Sequence, residues 1–495
     1  MTLSRLVNEL ETAGYDVVVV GGGVAGLTAG AVLARRGLRT MVLERHTVPG
    51  GCASFYQRAG YRFDVGATLV SGFGPRGAHH LVNAEIGLEV PVERAEPAMF
   101  VHLPDITLAR YGGKGWAGER VRTFSLEAEP FWRRQERLAD AAWDLAAHLP
   151  PLPVDLCDAG VLLRSVRPAH AQLLAAQGRT VASLFPANPG RRLRTFVDAQ
   201  LLITAQSDAQ QTDLTYGATA LDLAREGTYH LAGGVSTIAV GLARAIRKQG
   251  SEVRYGREVV ALEAQRKRVR AVRLADGTRI VADRIVAALP AVNLARLCPE
   301  LGEAYRARLA ALPQRWGAFT LYCGLPAGVV SDDEPLHHQC IASYERPLGE
   351  GNSVFLSFSG PNEPHRARRG GRAVTLSTHT DVARWERAAR DGTLPQLRAD
   401  YVERLALALE RVVPGARSKA EVFDAATPLT FARYTGRLRG LVGGMPQTTA
   451  WANLRALSHR TPVDGLFLCG DSAFPGQSTV GATLSGYNAA RAAAR

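Results

Sequence analysis

The stretch DVVVVGGGVAGLTAGAVLARRG, Asp16 to Gly37, decides how this chain folds. Residues 17–34 carry no charge, so hydropathy alone would qualify them as a membrane span. The glycines point elsewhere. Gly21, Gly23 and Gly26 match G-x-G-x-x-G directly after a run of β-branched residues at 17–20, the kind of run that fills a parallel strand buried on both faces. Leu27, Ala31, Leu33 and Ala34 then read as a helix closed by Arg35, Arg36 and Gly37. In that pattern Gly21 makes the tight turn, Gly23 lets the backbone approach a pyrophosphate, and Gly26 lets helix and strand pack closely. The helix start at Val24 and Ala25 supplies free N–H groups and a partial positive charge. A second strand, residues 40–43, ends in Glu44, where the fingerprint wants a carboxylate for a ribose hydroxyl. That favours an unphosphorylated adenosine ribose, as in FAD or NAD.

Working outward, 495 residues exceed one ordinary core, and a hydrophobic fraction of 46% is globular, so two intimately connected domains are expected. Residues 1–15 carry Arg5, Glu9 and Glu11 and no apolar core of a signal peptide; they read as an amphipathic lead-in to the first strand. Cys52, Cys157, Cys298, Cys323, Cys340 and Cys469 are scattered, without C-x-x-C or histidines at ligand spacing, and read as reduced thiols of a cytoplasmic protein. The net charge of +13 is almost wholly arginine. The basic residues form no long run and no nucleic-acid recognition module is visible, so nucleic acid is not an expected partner; an anionic lipid surface fits better.

The expected architecture is α/β: a Rossmann-type FAD-binding domain with a βαβ fingerprint, interleaved with a mixed α+β substrate domain and a helical, membrane-associating insert. The segments are 1–75 (FAD-binding, first part), 76–228 (substrate and helical membrane-contact region), 229–290 (FAD-binding, second part), 291–430 (substrate domain) and 431–495 (FAD-binding, C-terminal part). Residues 81–124 read as short strands and turns. Apolar residues at helical spacing over 131–149, including Phe131, Trp132, Leu138 and Trp143, predict a helix with a wide apolar face. A proline-rich break at 150–153 precedes more helix at 159–183 and 193–205. Gly233-Gly234 precedes a helix at 235–249, strands at 252–255 and 258–262, a hairpin at Asp276-Gly277 and a strand at 284–289.

GLFLCGDSAFPGQSTVGATLSGYNAA, residues 465–490, places an acid straight after a strand and a small-residue helix start a few residues later. Asp471 can accept from ribityl or ribose hydroxyls, and N–H groups near Val480 and Gly481 can meet phosphate or the edge of a flavin ring. A site built from both chain ends is more typical of flavoproteins than of NAD dehydrogenases. Together with PGGCASFYQRAGYRFDVGATLVSGF at 49–73, these motifs resemble the bacterial phytoene desaturase and carotenoid isomerase family of FAD proteins over nearly the whole chain. The segments RLRTFVDAQLLITAQSDAQQTDLTYGATAL (192–221) and GTYHLAGGVSTIAVGLARAI (227–246) resemble its carotenoid 3′,4′-desaturase branch and, more distantly, the prolycopene isomerases. The resemblance implies FAD as cofactor, with Glu44 at the adenosine ribose, the backbone around Val259 at the adenine, Gly51 near the flavin and Asp471 at the ribityl chain. Arg45, Cys52, Gly470, Thr479, Val480 and Gly481 are further expected cofactor-binding residues.

No catalytic constellation is visible, so the catalytic residues are unknown and the chemistry is expected to centre on the flavin. The pairs His79-His80 and His337-His338 are adjacent rather than four apart, which suits neither a metal site nor a triad. The implied function is a carotenoid desaturase in carotenoid biosynthesis: a hydride leaves an allylic carbon of an acyclic end, at the 3′,4′ bond, and oxygen or a quinone reoxidises the flavin. A cis-trans isomerase using reduced FAD, or a carotenoid or lipid carrier that keeps FAD structurally, are the alternatives. An insoluble substrate implies loading from a bilayer by peripheral, monotopic contact with the inner face of the membrane, with Arg133, Arg134, Arg137, Arg164 and Arg167 near the mouth.

Overall fold

The computed structural model describes residues 14–146, 160, 164, 166–368 and 370–495. Most of the expected lead-in, the proline-rich break, Cys157 and the start of the helix expected at 159–183 lie outside the described residues.

The strand Tyr15–Val20 forms with every side chain but Asp16 buried. It runs parallel to Thr40–Leu43 on one side and to Arg279–Ala287 on the other, and Glu252–Arg254 extends the sheet beyond Thr40–Leu43. Valines suit this place because helices cover the sheet: Val24–Arg35, Ser236–Lys248 and Ser478–Ala493 share one core with Val17, Val19 and Val42. Arg279–Ala287 serves two neighbours. Its first half pairs antiparallel with Arg268–Leu274 across a hairpin whose Gly277 has φ +87°, and its last residues pair in parallel with Leu466–Leu468. Strands from the start, middle and end of the chain thus open on the same sheet edge, where Gly21 and Gly470 emerge.

A second sheet of seven strands has the order Val422–Ala426, Trp316–Leu325, Arg372–Asp381, Ser353–Phe358, His337–Ile341, Met99–His102, Thr107–Arg110. Two strands from the 76–228 segment therefore complete a sheet built from later residues. Helices Val382–Arg390 and Leu394–Val412 pack on this sheet through Trp385 and Tyr401, both fully buried against Phe319.

Two expectations change. Residues 81–124 contain more than short strands and turns: Ala78–Ile86 and Gly115–Phe124 are helices, the first closed by Gly87 at φ +65°. The apolar face of the expected insert helix, here Glu129–Ala146, is spent inside the protein. Phe131 (0% exposed) and Trp132 (1%) pack edge-on against each other within an aromatic cluster that includes Trp116, Phe124 and Phe196. Wide apolar helix faces meet whatever layer is nearest, and here that layer is the second sheet, through Val101, Ile341 and Phe355. Arg133, Arg134 and Arg137 lie exposed on the opposite face. Among the described residues no helix is long and apolar enough to cross a membrane.

Candidate functional site: a dinucleotide groove between the chain ends

The three fingerprint glycines do three different jobs. Gly21 turns the chain at φ +107°, and a Cβ there would meet the carbonyl oxygen of Ala288 at 2.6 Å. At Gly26 a Cβ would lie 2.0 Å from Gly21 O and 2.8 Å from the Ala288 side chain, so only glycine lets helix Val24–Arg35 pack this closely on the sheet. Gly23 differs. Its backbone is extended (φ −71°, ψ 174°) and a Cβ would meet nothing within 4 Å, so what its missing side chain provides is open room in front of the helix start. No side chain caps that helix start, which leaves first-turn N–H groups for an anion. The Gly50-Gly51 pair closes on the same loop: Gly50 N–H donates to Gly22 O at 2.8 Å, and a Cβ on Gly51 (φ +57°) would stand 3.5 Å from the Cα of Gly23.

Glu44 is buried at the end of Thr40–Leu43. Its Oε2 accepts the Gly22 N–H and its Oε1 the His46 N–H, each at 2.7 Å, which fixes the carboxylate and leaves each oxygen a further lone pair for a hydroxyl. Val259 begins the strand Val259–Gln265, brought beside this end of the groove by the bond from Arg257 N–H to Glu44 O, 2.9 Å. Arg45 sits at the rim, 3.7 Å from Glu258 and against Gly436.

The other half comes from the C-terminus. After Leu466–Leu468, Gly470 (φ +116°) donates its N–H to Ser485 Oγ at 3.0 Å, and a Cβ on it would again meet nothing within 4 Å. Asp471 follows, with Oδ2 2.6 Å from Arg437 Nη2. Helix Ser478–Ala493 lies so close to the fingerprint helix that a Cβ on Gly486 would stand 2.1 Å from Ala25 O. The two helix starts thus belong to one packed pair, and only the one at Val24 lacks a side chain accepting from its first turn. At the second, Thr479 is buried and Val480 lies against Gly72, while the Gly481 N–H is taken by Ser478 Oγ at 3.1 Å. Free N–H groups at this terminus are therefore left to the residues before Gly481.

Cys52 lies in the same cluster as Asp471 and Arg437; burial pushes its thiol up, so it is not a ready thiolate. Arg437 was not legible as a site residue: it is one of many arginines, and its partner stands 34 residues away. Two buried amides flank the C-terminal loop and were missed as well. Gln477 donates to Ile203 O and Gln447 to Met445 O, which fixes which end of each amide is nitrogen, and both Oε1 atoms have no partner among the described residues.

His79, His337 and His459 are buried, and burial disfavours the charged form of each. His79 stacks on Phe73 (4.7 Å between ring centres) and bonds Thr483 Oγ1 at 3.2 Å. Burial pushes His79, His379 and His459 down to about 4 and His337 to about 3. Protons that these rings refuse in the fold are taken up by the unfolded chain near the ordinary value of 6.5, so their contribution to stability is complete above that pH and is lost as pH falls toward 4. Each fully buried ring contributes on the order of 3 kcal/mol to this term. The thermal unfolding midpoint should therefore drop steeply between about pH 6.5 and 4; a flat profile over that window would show that these rings are solvated.

A groove with open glycines at Gly23 and Gly470, a fixed buried carboxylate suited to a ribose and an uncapped helix start at Val24 fits a dinucleotide that runs between the chain ends, the arrangement of a flavoprotein. Residues 24–494 match the family model of flavin containing amine oxidoreductases, and the chain belongs to that family; its cofactor is FAD. Over 503 residues it is 26% identical to the chloroplastic prolycopene isomerase of Daucus carota, covering 95% of this chain and 78% of that protein. It is 23% identical over 497 residues to the neurosporene-forming phytoene desaturase of Rhodobacter capsulatus, covering 93% and 90%. Among solved structures, an oxidoreductase from Methanosarcina mazei shares the fold with a TM-score of 0.64 at 16% identity, covering 95% of this chain and 98% of that one. These relatives agree with the resemblance read from the motifs.

Proposed function

We propose that this chain is an FAD-dependent enzyme of carotenoid biosynthesis that desaturates an acyclic carotenoid, removing hydride from an allylic carbon at the 3′,4′ bond. The observation that carries the proposal is a cofactor groove built from both chain ends, set beside a buried His79 whose charged form burial disfavours. Bound FAD supplies the hydride acceptor that no side chain can provide. The chain's own residues then have three tasks: to hold the cofactor, to exclude water, and to present the polyene. Loss of an allylic hydride leaves a cation spread along the polyene, and the adjacent carbon then gives up its proton to a weak base such as a water molecule, which completes the double bond without a strong acid or base. The aromatic cluster around Trp132 and Phe196 is rigid packing of the kind that can support an apolar surround for the polyene.

A second reading is cis-trans isomerisation with reduced FAD, favoured by the likeness to a prolycopene isomerase over 95% of this chain. The test is expression in cells that accumulate acyclic carotenoids, followed by measurement of the mass and absorption maximum of the pigments. Desaturation removes about two mass units and isomerisation none, because only the first leaves electrons on the flavin. Pigments unchanged in both mass and absorption maximum would defeat both.

We also propose that substrate is loaded by peripheral contact with the inner face of the membrane, and that oxygen or a quinone reoxidises the flavin. With the apolar face of Glu129–Ala146 turned inward, the contact surface falls to exposed Leu126 (71%) and Leu174 (75%) beside the arginines of that helix. Sedimentation with anionic vesicles that weakens as salt rises is the expected result; no sedimentation at low salt would refute it.

A further inference from the structure

The groove has an electrostatic problem. A dinucleotide brings two negative charges on its diphosphate, and the carboxylates that meet its hydroxyls, Glu44 and Asp471, add two more. The start of helix Val24–Arg35 offers only about half an elementary charge in return. A full cation is needed inside the groove. Arg45 is too far out, its side chain 38% exposed and shared with Glu258.

Arg437 is placed differently. Its side chain is 13% exposed, Nη2 is 2.6 Å from Asp471 Oδ2, and Nε donates to Leu441 O. Among the described residues nothing accepts from its Nη1. The backbone on both sides is pinned by one side chain: Asn293 Nδ2 donates to Gly436 O at 2.8 Å, and Leu438 N–H donates to Asn293 Oδ1 at 3.2 Å. Gly436 (φ +70°) leaves room for Arg45, whose Nη1 would stand 2.4 Å from a Cβ there. The segment from Gly436 to Leu441 therefore runs from the residue beside the adenosine end of the groove to the carboxylate at its other end. The guanidinium also opposes the upward push of burial on the Cys52 thiol, which places it within electrostatic reach of the Gly50-Gly51 turn.

We infer that Arg437 is the cation of the FAD site: it neutralises Asp471, so that this carboxylate can accept from ribityl hydroxyls beside the diphosphate, and it donates its remaining N–H groups to the diphosphate itself. It is a binding and positioning residue with no part in hydride transfer.

The test is the rate at which FAD leaves the purified holoprotein, followed by the fluorescence of freed flavin, at ionic strengths from about 0.02 to about 0.5 M. Arg437→Gln should release FAD at least about tenfold faster, and added salt should slow that release, because an unpaired Asp471 repels the diphosphate and salt screens repulsion. Arg437→Lys, which keeps the charge, should recover most of the slow release. The neutral double variant Arg437→Gln/Asp471→Asn leaves no buried charge unpaired, so it folds even where the single variant does not, and it should lose the salt effect while still releasing FAD faster than the parent. If Arg437 were only a staple between its loop and the C-terminal strand, faster release would be the same at every salt concentration and lysine would be no better than glutamine. Either result, or release at the parental rate, overturns the assignment.

Discussion

Gly23→Val is expected to leave the protein folded and to abolish its retention of FAD. The backbone at Gly23 is extended, which a β-branched residue adopts without strain, and a Cβ there touches no protein atom within 4 Å. The added methyl groups would instead fill the space in front of the helix start where a pyrophosphate must approach. The neighbouring substitution Gly26→Val should fail for the opposite reason, since its Cβ would stand 2.0 Å from Gly21 O and the helix could not seat on the sheet. Purified Gly23→Val with unchanged circular dichroism and no flavin absorbance would confirm the cradle. Full flavin occupancy would refute it.

The second large effect is expected at Asp471. Asp471→Ala removes the acceptor and strands Arg437 in a largely buried place. Breaking a buried pair from one side costs about 3–5 kcal/mol, less here because the carboxylate side chain is 18% exposed. FAD should bind about a hundredfold more weakly or worse, whereas turnover per bound FAD should stay within about tenfold of the parent. His79→Ala should behave likewise: a general acid or base is worth roughly 10²–10⁴ in rate, so its loss would stand out. A hundredfold fall per bound FAD at His79, His80, His230 or His379, with substrate binding unchanged, would reveal a proton donor or acceptor that the spacing of these residues does not suggest.

What could be read in the residues was what lies close together along the chain. Gly21, Gly23, Gly26 and Glu44 occupy consecutive elements of one βαβ unit, so their spacing carries their geometry. Asp471 was legible for the same reason, as an acid directly after a strand. The strand His337–Ile341 was not, because all five of its residues are buried and no alternation marks it. The helix Glu129–Ala146 showed its apolar face in its spacing, but spacing does not say what a face meets, and Phe131 and Trp132 turned out to fill a core. Arg437 depends on Asn293 and Asp471, two residues from distant segments, and only the fold brings the three together.

The most direct measurement is a single turnover without oxygen: purified protein carrying oxidised FAD, mixed with an acyclic carotenoid in detergent, with flavin absorbance and pigment mass recorded together. The proposed chemistry predicts that the oxidised flavin band bleaches as the carotenoid loses two hydrogens, in equal amounts and without another electron acceptor. A flavin that stays oxidised while the carotenoid keeps its mass would contradict it.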